Sequence, residues 1–499
     1  MSAQVEPKQD SNIDPHLPAH SAWASAWKKA GIIAAVGLVL TVLGSMGAHD
    51  GGRRFAYAYI YGYFTIATIA LGSLFFVLVQ RLTSANWSVT VRRTSEFFMS
   101  GLPVLAVLAL PILANVKHYE WHDIVAPHSS EHGSEHAAPR VGALPGISDA
   151  LAHEGHHDED EHQGPADNVP GALGTHDGAP SHGLHPNALS HGAHAQVAEH
   201  EAHVGHDPNH VAHLETLAKK AGWFNPTFFF VRAGLYLLAW TWLGLRFFKF
   251  SVSQDKDKDV AWTLRAQGAA PTSMMFFALS VTFAAFDWVM ALEPSWFSTI
   301  FGIIVFSTAV VSSLAVLILV TMSLVDAGHL KGLVNVEHFH DMGKLLFGFI
   351  VFWAYVSFSQ FMLIWYAGLP EEATYYHLRW DSSGEATAGA GPWSAVSIFL
   401  LFGHFVIPFL MLISRNTKRA LGTLKMAAAW VLLMHVVDWY WVVMPNFKHY
   451  AVELSLADIG TPMLIGGIYF AYVFRKMTQH ALIPTGDPRL ARSIHFHQV

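Results

Sequence analysis

The chain has 499 residues, of which 52% are hydrophobic and 13% are charged, and its net charge is −7. Such a composition leaves too little polar surface for a water-soluble globule of this size, and the mild negative charge without a basic patch argues against a nucleic-acid partner. The chain contains no cysteine, which excludes Cys-ligated iron–sulfur clusters, c-type haem attachment and disulfides. Lipid is therefore the predicted solvent for most of the chain.

Ten apolar runs are long enough to cross a hydrocarbon core of roughly 30 Å as helices. In chain order they are Lys29–Ala48, Tyr57–Val79, Phe97–Val116, Thr227–Phe248, Thr272–Leu292, Trp296–Leu324, Leu345–Tyr366, Trp393–Ile413, Leu424–Met444 and Ile459–Phe474. We expect an all-α polytopic membrane protein with these runs as predicted helices 1 to 10. The first run is expected to remain a helix and not to be a cleaved signal peptide, because no convincing cleavage site follows it.

Lysine and arginine in the connections predict the orientation. One side of the predicted membrane collects 21 of the 30 basic residues, which the positive-inside rule assigns to the cytoplasm. The predicted segments are a cytoplasmic tail (1–27), helices 1 to 3 (28–116), a periplasmic loop (117–224), helices 4 to 10 (225–476) and a second cytoplasmic tail (477–499). These features predict a multi-pass protein of the bacterial inner membrane.

The long loop is rich in histidine. Residues 118–213 hold 19 of the 32 histidines and have few aromatic or branched apolar residues, so they offer little to bury and are predicted to be largely disordered. Imidazoles at this density bind zinc or copper weakly. Their irregular spacing favours a buffering or weakly metal-binding loop, and a dedicated metal site is the alternative.

Predicted helices 5 and 9 share a motif, in which Asp-Trp precedes a proline by the same interval at Asp287 and at Asp438. The two helices are four apart and point the same way, which favours two parallel four-helix bundles, helices 2–5 and 6–9, with helices 1 and 10 flanking them. Glu96 and Asp341 form a second, weaker match between the two bundles, near the cytoplasmic ends of predicted helices 3 and 7. A chance similarity between tryptophan-rich helix ends is the alternative.

Carboxylates inside a membrane usually face the bundle interior and mark an ion or proton route. Asp287 and Asp438 are therefore candidates for a proton pathway, although each could be a polar group capping a helix end. Asp438 has the stronger case because His435 lies one turn earlier and His404 lies near the middle of the antiparallel neighbour, predicted helix 8. Imidazoles titrate near neutral pH and pass protons between their two nitrogens.

A second cluster of titratable side chains lies at the start of predicted helix 7 and comprises His340, Asp341 and Lys344. It is either a proton entrance on the cytoplasmic side or a solvated helix start with Asp341 at the positive end of the dipole. No residue is predicted to be catalytic in the sense of touching a substrate, and none to bind a resident metal.

Two long strings of sequence carry a family resemblance. Residues 286–299, Phe-Asp-Trp-Val-Met-Ala-Leu-Glu-Pro-Ser-Trp-Phe-Ser-Thr, and residues 343–347 with 352–366 resemble the NrfD-type (polysulfide reductase NrfD family) integral membrane subunits of bacterial alternative complex III. The resemblance covers most of the chain, and the His-rich loop is where the sequence departs most from it.

The resemblance implies a subunit of a quinol:cytochrome c or quinol:acceptor oxidoreductase. It implies iron–sulfur and cytochrome c partner subunits that carry the clusters and haem c, a paralogous NrfD-like partner, ActC, and contact with lipids, the quinone pool and a terminal oxidase. Menaquinone or its quinol is the implied ligand, with no covalently bound cofactor in this chain. ActC is the better candidate for the working quinol pocket, which leaves proton conduction or assembly to this chain.

The same residues are also compatible with two other kinds of membrane protein. His404 and His435 on adjacent helices are suitable axial ligands for a haem b, which would make the chain a membrane cytochrome. The internal repeat and the His-rich loop are also typical of a secondary transporter for protons or metal ions.

Overall fold

The computed structural model describes residues 15–47, 50, 52–119, 219–220, 222–381, 389–448 and 451–497. Ten helices in these ranges are long and apolar enough to cross a membrane, which confirms the predicted all-α polytopic class. They are α1 (Ala22–Met46), α2 (Arg53–Leu82), α3 (Val89–Ala114), α4 (Pro226–Asp257), α5 (Ala261–Leu292), α6 (Phe301–Asp326), α7 (Val336–Ala367), α8 (Pro392–Leu412), α9 (Leu421–Asn446) and α10 (Leu456–Met477). The predictions for the His-rich loop fall almost wholly outside the described residues.

Several helices extend beyond the apolar runs that predicted them. The structure starts α3 at Val89, α5 at Ala261 and α7 at Val336, and it ends α4 at Asp257, so the predicted boundaries at these four ends were two to three turns short. Hydropathy detects only the stretch inside hydrocarbon, whereas these turns carry charges. At the extended ends of α3, α4 and α7 the charges have partners of opposite sign, and at the start of α5 Arg265 packs over the ring of Trp262.

The two predicted bundles are present. In the first, α2 and α4 each contact both α3 and α5, and in the second, α6 and α8 each contact both α7 and α9. The bundles meet where α2 packs on α6. A Cβ at Gly72 of α2 would lie 2.0 Å from the carbonyl oxygen of Ala309, and Ser73 lies 2.8 Å from Ser313 between their hydroxyl oxygens. Only glycine allows the backbones to approach this closely.

The flanking helices α1 and α10 form an antiparallel pair along a line of small residues. A Cβ added at Gly37, Gly44, Gly460 or Gly467 would come within 2.1 to 2.5 Å of the backbone of the facing helix. Small residues permit such contact in lipid, where packing drives helix association. The rest of α1 is largely exposed, with Ile32, Val39 and Leu43 about half or more accessible, so α1 is a peripheral helix.

The first and last described segments of the chain lie at one end of the bundles, which we call the terminal face. The backbone N–H of Leu482 donates to the carbonyl of Pro15 at 2.8 Å. The Asn335 amide, just before α7, donates to the carbonyl of Phe496 at 2.8 Å. We call the opposite end the loop face. Tyr119, the last described residue before the His-rich loop, lies there, and its hydroxyl donates a hydrogen bond to the carbonyl of Ala56 at the start of α2.

Candidate proton-transfer site

The middle of α8 is not a regular helix. Residues Leu401–Val406 form a π-helix, and Pro408 follows it. In an α-helix the N–H of residue 408 would bond to the carbonyl of His404, but proline has no N–H and its ring presses on that carbonyl. The widened turn relieves this clash, and Trp430 of α9 donates its indole N–H to the carbonyl of Gly403 at 2.7 Å. Such π-bulges are frequent at functional sites.

His404 lies inside this widened turn and is completely buried. Its ring stacks on the indole of Trp353 from α7, with the ring centroids 4.1 Å apart and the planes 19° from parallel. Its Nδ1 is 4.0 Å from Oδ2 of Asp438. Neither ring nitrogen has a hydrogen-bond partner among the described residues, so the imidazole is held by stacking while both proton-carrying atoms remain available.

Asp438 of α9 is buried beside His404. Its side chain accepts a hydrogen bond from the hydroxyl of Thr308 on α6 at 3.3 Å. A buried carboxylate needs several donors or a fixed cation to compensate for lost hydration. Among the described residues, Asp438 has a long hydrogen bond from Thr308, the indole N–H of Trp353 beside it and an imidazole that is charged only when protonated, but no fixed cation, which suits a carboxyl group that gains and loses a proton.

His435, one turn before Asp438, is also completely buried but turns toward the other bundle. Its Nε2 lies 3.0 Å from the carbonyl oxygen of Thr65 and 3.2 Å from the hydroxyl of Thr68, both on α2. Because a carbonyl can only accept, Nε2 carries the hydrogen, and Nδ1 is left as an acceptor without a partner among the described residues. The structure thus brings His404 and Asp438 together and places His435 beside them, bonded across the bundle interface.

Asp287, the counterpart of Asp438 in the first bundle, has a complete set of partners. Arg232 of α4 binds it through two nitrogens, at 2.8 Å to Oδ2 and 3.0 Å to Oδ1. The hydroxyl of Tyr236 donates to Oδ2 at 2.8 Å, and the indole of Trp223 donates to Oδ1 at 2.6 Å. Two-point pairing with arginine is the strongest form of side-chain ion pair, so the carboxylate of Asp287 has a fixed cation and a full set of donors.

Glu96 lies in a buried cluster of charges at the terminal face, which we call the arginine cluster. Its members are Arg81, Arg92, Arg93, Glu96, Asp255, Asp487 and Arg489. Arg92 forms ion pairs with both Glu96, at 3.0 Å, and Asp487, at 2.7 Å. Burial acts to raise the pKa of Asp487, but Arg92 and Arg489 outweigh it and hold the pKa below its ordinary value. The cluster fastens the C-terminal segment to α3.

The group at the start of α7 is separate from the His404–Asp438 pair. Asp341 pairs with Lys344 at 2.6 Å, and His340 is buried next to them. Twelve residues, about 18 Å of helix, separate Asp341 from Trp353, and the buried α7 residues between them include Leu346 and Ile350. The described side chains therefore do not join the terminal-face group to His404.

On the loop side of Asp438 a short helix, Pro370–His377, closes over the second bundle. Tyr375 is buried there, and burial raises its pKa to about 12 although Arg379 opposes the shift. Arg379 is 1% exposed and donates to the carbonyls of Tyr375 and Val442 at 2.7 and 2.8 Å. These contacts cover the pair on the loop side with polar groups.

Several of the partners were not predicted from the sequence, namely Trp223, Arg232, Tyr236, Thr308, Trp353, Tyr375 and Arg379. A signal existed for Arg232, because an arginine within a long apolar run needs a buried carboxylate. No comparable signal existed for Thr308 or Trp353, since threonine and tryptophan are common in any helix bundle. Among the described residues no group of three or more histidine or acidic side chains is arranged to hold a metal ion.

Neither a scan against protein-family models nor a search of curated proteins finds a match to this chain.

Proposed function

We propose that this chain is an integral membrane subunit of a respiratory quinol:cytochrome c or quinol:acceptor oxidoreductase of the alternative complex III type, and that it supplies a proton-transfer site. The single observation that carries the proton-transfer role is the buried His404–Asp438 pair, in which neither imidazole nitrogen has a hydrogen-bond partner among the described residues and the carboxyl group has no lysine or arginine partner there. The complex is proposed from the sequence resemblance, which is strongest to the second NrfD-type subunit, ActF.

In the proposed transfer, a proton on the carboxyl group of Asp438 moves to Nδ1 of His404, and the imidazole then releases a proton from Nε2. The 4.0 Å separation is about 1 Å longer than a hydrogen bond, so a small side-chain rotation or one bridging water closes the relay. Trp353 holds the imidazole plane during the exchange. Because Asp438 lies eight residues, about 12 Å, from the loop-face end of α9, the relay lies in the outer half of the second bundle.

The redox centres of the proposed complex belong to its partners. A chain without cysteine depends on iron–sulfur and cytochrome c subunits for electron transfer, and ActC is the proposed site of quinol oxidation. The larger described cavity supports this division, because its lining is apolar except for Lys29 at its mouth, whereas a quinol head needs buried hydrogen-bonding partners. The basic terminal face is proposed to be cytoplasmic, with the His-rich loop in the periplasm.

The geometry favours proton transfer over haem ligation. Two axial histidines must each aim a nitrogen at one iron. His435 instead directs Nε2 at the backbone of α2, and His404 lies face to face with Trp353. A transporter that moves protons without quinol oxidation is the second candidate, because the same pair would serve it.

Asp438→Asn in the purified complex tests the proposal. The substitution keeps the shape and an acceptor for Thr308 but removes the exchangeable carboxyl proton, so we expect intact assembly and an at least tenfold slower quinol-coupled proton translocation. Asp326→Asn is the control, since Asp326 is an exposed acid of α6 at the terminal face. Unchanged coupling in Asp438→Asn would refute the relay, and proton movement without quinol would favour the transporter.

A further inference from the structure

An apolar groove of about 580 Å³ runs along the terminal-face half of the protein. Its walls come from α1, α2, α6, α9 and α10, and they include Ile33, Ile66, Leu319, Leu432 and Phe470. The groove begins near the N-terminal end of α1 and reaches about the middle of α2 and α9. It therefore follows the path of an acyl chain from one membrane surface to the centre of the bilayer.

Small residues shape the groove. Ala26 and Ala30 of α1 and Gly466 and Gly467 of α10 line it where larger side chains would fill it. A Cβ added at Gly467 would lie 2.5 Å from the backbone nitrogen of Ala34, so the two helix backbones touch there. The close α1–α10 contact thus fixes one wall, while the remaining space stays open beside a peripheral helix.

The mouth of the groove is basic and aromatic. Lys29 lines the mouth itself, and Lys28 and Arg475 lie over the ring of Trp27 with 5.7 and 5.2 Å from the charged group to the ring centroid. All three cations are exposed. In the described part of the chain none of them has a carboxylate partner. Lysine, arginine and tryptophan at the end of membrane helices lie at the level of the lipid headgroups.

We infer that this groove binds an anionic phospholipid, with an acyl chain between α1, α6 and α10 and the phosphate against Lys29 and Arg475. The apolar walls match hydrocarbon, and the unpaired cations at the mouth complement a negative headgroup. A quinol fits less well because its uncharged ring gains little from the cations and finds no other polar partner along the described walls. A zwitterionic lipid would share the chain contacts but would lose the charge complementarity.

Native mass spectrometry of the delipidated full-length protein, with the subunits that co-purify, tests the site by titration with phosphatidylglycerol. Removing both cations in Lys29→Ala/Arg475→Ala is expected to weaken phosphatidylglycerol binding roughly 30-fold, at about fivefold per basic side chain. The matched control is Lys249→Ala/Arg265→Ala. Like the test variant, it removes an exposed lysine and an arginine that lies over a tryptophan ring. Arg265 is 4.7 Å from the ring centroid of Trp262, and both control residues lie near helix ends away from the groove.

A second variant, Ala26→Trp, fills the groove without changing charge and should also reduce retention of the lipid. Wild-type affinity in both the double variant and Ala26→Trp would overturn the inference. Equal weakening in the matched control would mean that the attraction is general to the terminal face, and equal binding of phosphatidylcholine would refute the headgroup assignment. Retention of a quinone in place of phospholipid would assign the groove to a different occupant.

Discussion

Two aspartates in the same sequence motif meet different surroundings in the two bundles. Asp287 receives four donor contacts from Trp223, Arg232 and Tyr236. Within the described part of the chain, Asp438 receives a long hydrogen bond from Thr308, has the indole of Trp353 beside it and faces the imidazole of His404, which has no hydrogen-bond partner there. The motif places a carboxylate at the same level in each bundle, whereas the facing helix, α4 or α8, decides whether that carboxylate is paired with a fixed cation or is a group able to exchange protons.

Substitutions around Asp287 and around Asp438 should therefore affect different properties of the protein. A fixed ion pair in a membrane is strongly destabilising when one member is removed, because the other charge is then buried alone. A carboxyl group and a neutral imidazole can each be replaced by an uncharged residue at little cost. The first bundle should therefore respond to substitution by unfolding, and the second by losing proton transfer.

Arg232→Met should give the largest effect, a loss of about 3–5 kcal/mol of stability, because it leaves Asp287 as an uncompensated buried charge. Thermal denaturation of the detergent-solubilised protein, followed by size-exclusion chromatography, measures this loss. The double variant Arg232→Met/Asp287→Leu should recover most of the stability. Lys249→Met, at an exposed position on the same helix, is the control and should change stability by less than about 0.5 kcal/mol. An unaltered melting temperature in Arg232→Met would contradict the ion-pair assignment of Asp287.

His404→Phe should give a smaller but functional effect. Phenylalanine keeps the stacking on Trp353, and no hydrogen bond to a described residue is lost, so stability should change by less than about 1.5 kcal/mol while proton translocation falls about tenfold. Tyr236→Phe, which removes a donor from Asp287, should show the reverse, a stability cost of about 1–3 kcal/mol with normal proton translocation. Parallel losses of stability and transfer in both variants would remove the distinction.

Thr308→Val should give the smallest effect. It deletes the hydrogen bond from Thr308 to Asp438, which at 3.3 Å is long, so we expect a cost of about 0.5–1 kcal/mol and a roughly twofold to fivefold change in the transfer rate. Thr321→Val is matched to it, because Thr321 is buried on the same helix with a hydroxyl that has no partner among the described residues. If the two variants behave alike, Thr308 does not adjust Asp438.

The sequence predicted the ten helices, their grouping into two bundles and the flanking pair, because apolar length and a repeat four helices apart are properties of the order of residues alone. It did not predict the charged turns of α3, whose helical structure depends on Asp487, about 390 residues away along the chain. It singled out His404 and Asp438 because charged or titratable groups in apolar runs are rare. It could not foresee the direction of His435, which depends on how α9 is rotated against α2.

The arginine cluster has a consequence for the order in which the protein is made. Arg92 and Arg93 are synthesised well before two of their acidic partners, because Asp255 follows Arg93 by 162 residues and Asp487 follows Arg92 by 395 residues. Until residue 487 is made, Arg81, Arg92 and Arg93 outnumber the acids of the arginine cluster. The segment around Asp487 completes the charge balance, so we expect a chain cut short before residue 487 to insert its helices and yet leave the terminal face of α3 open.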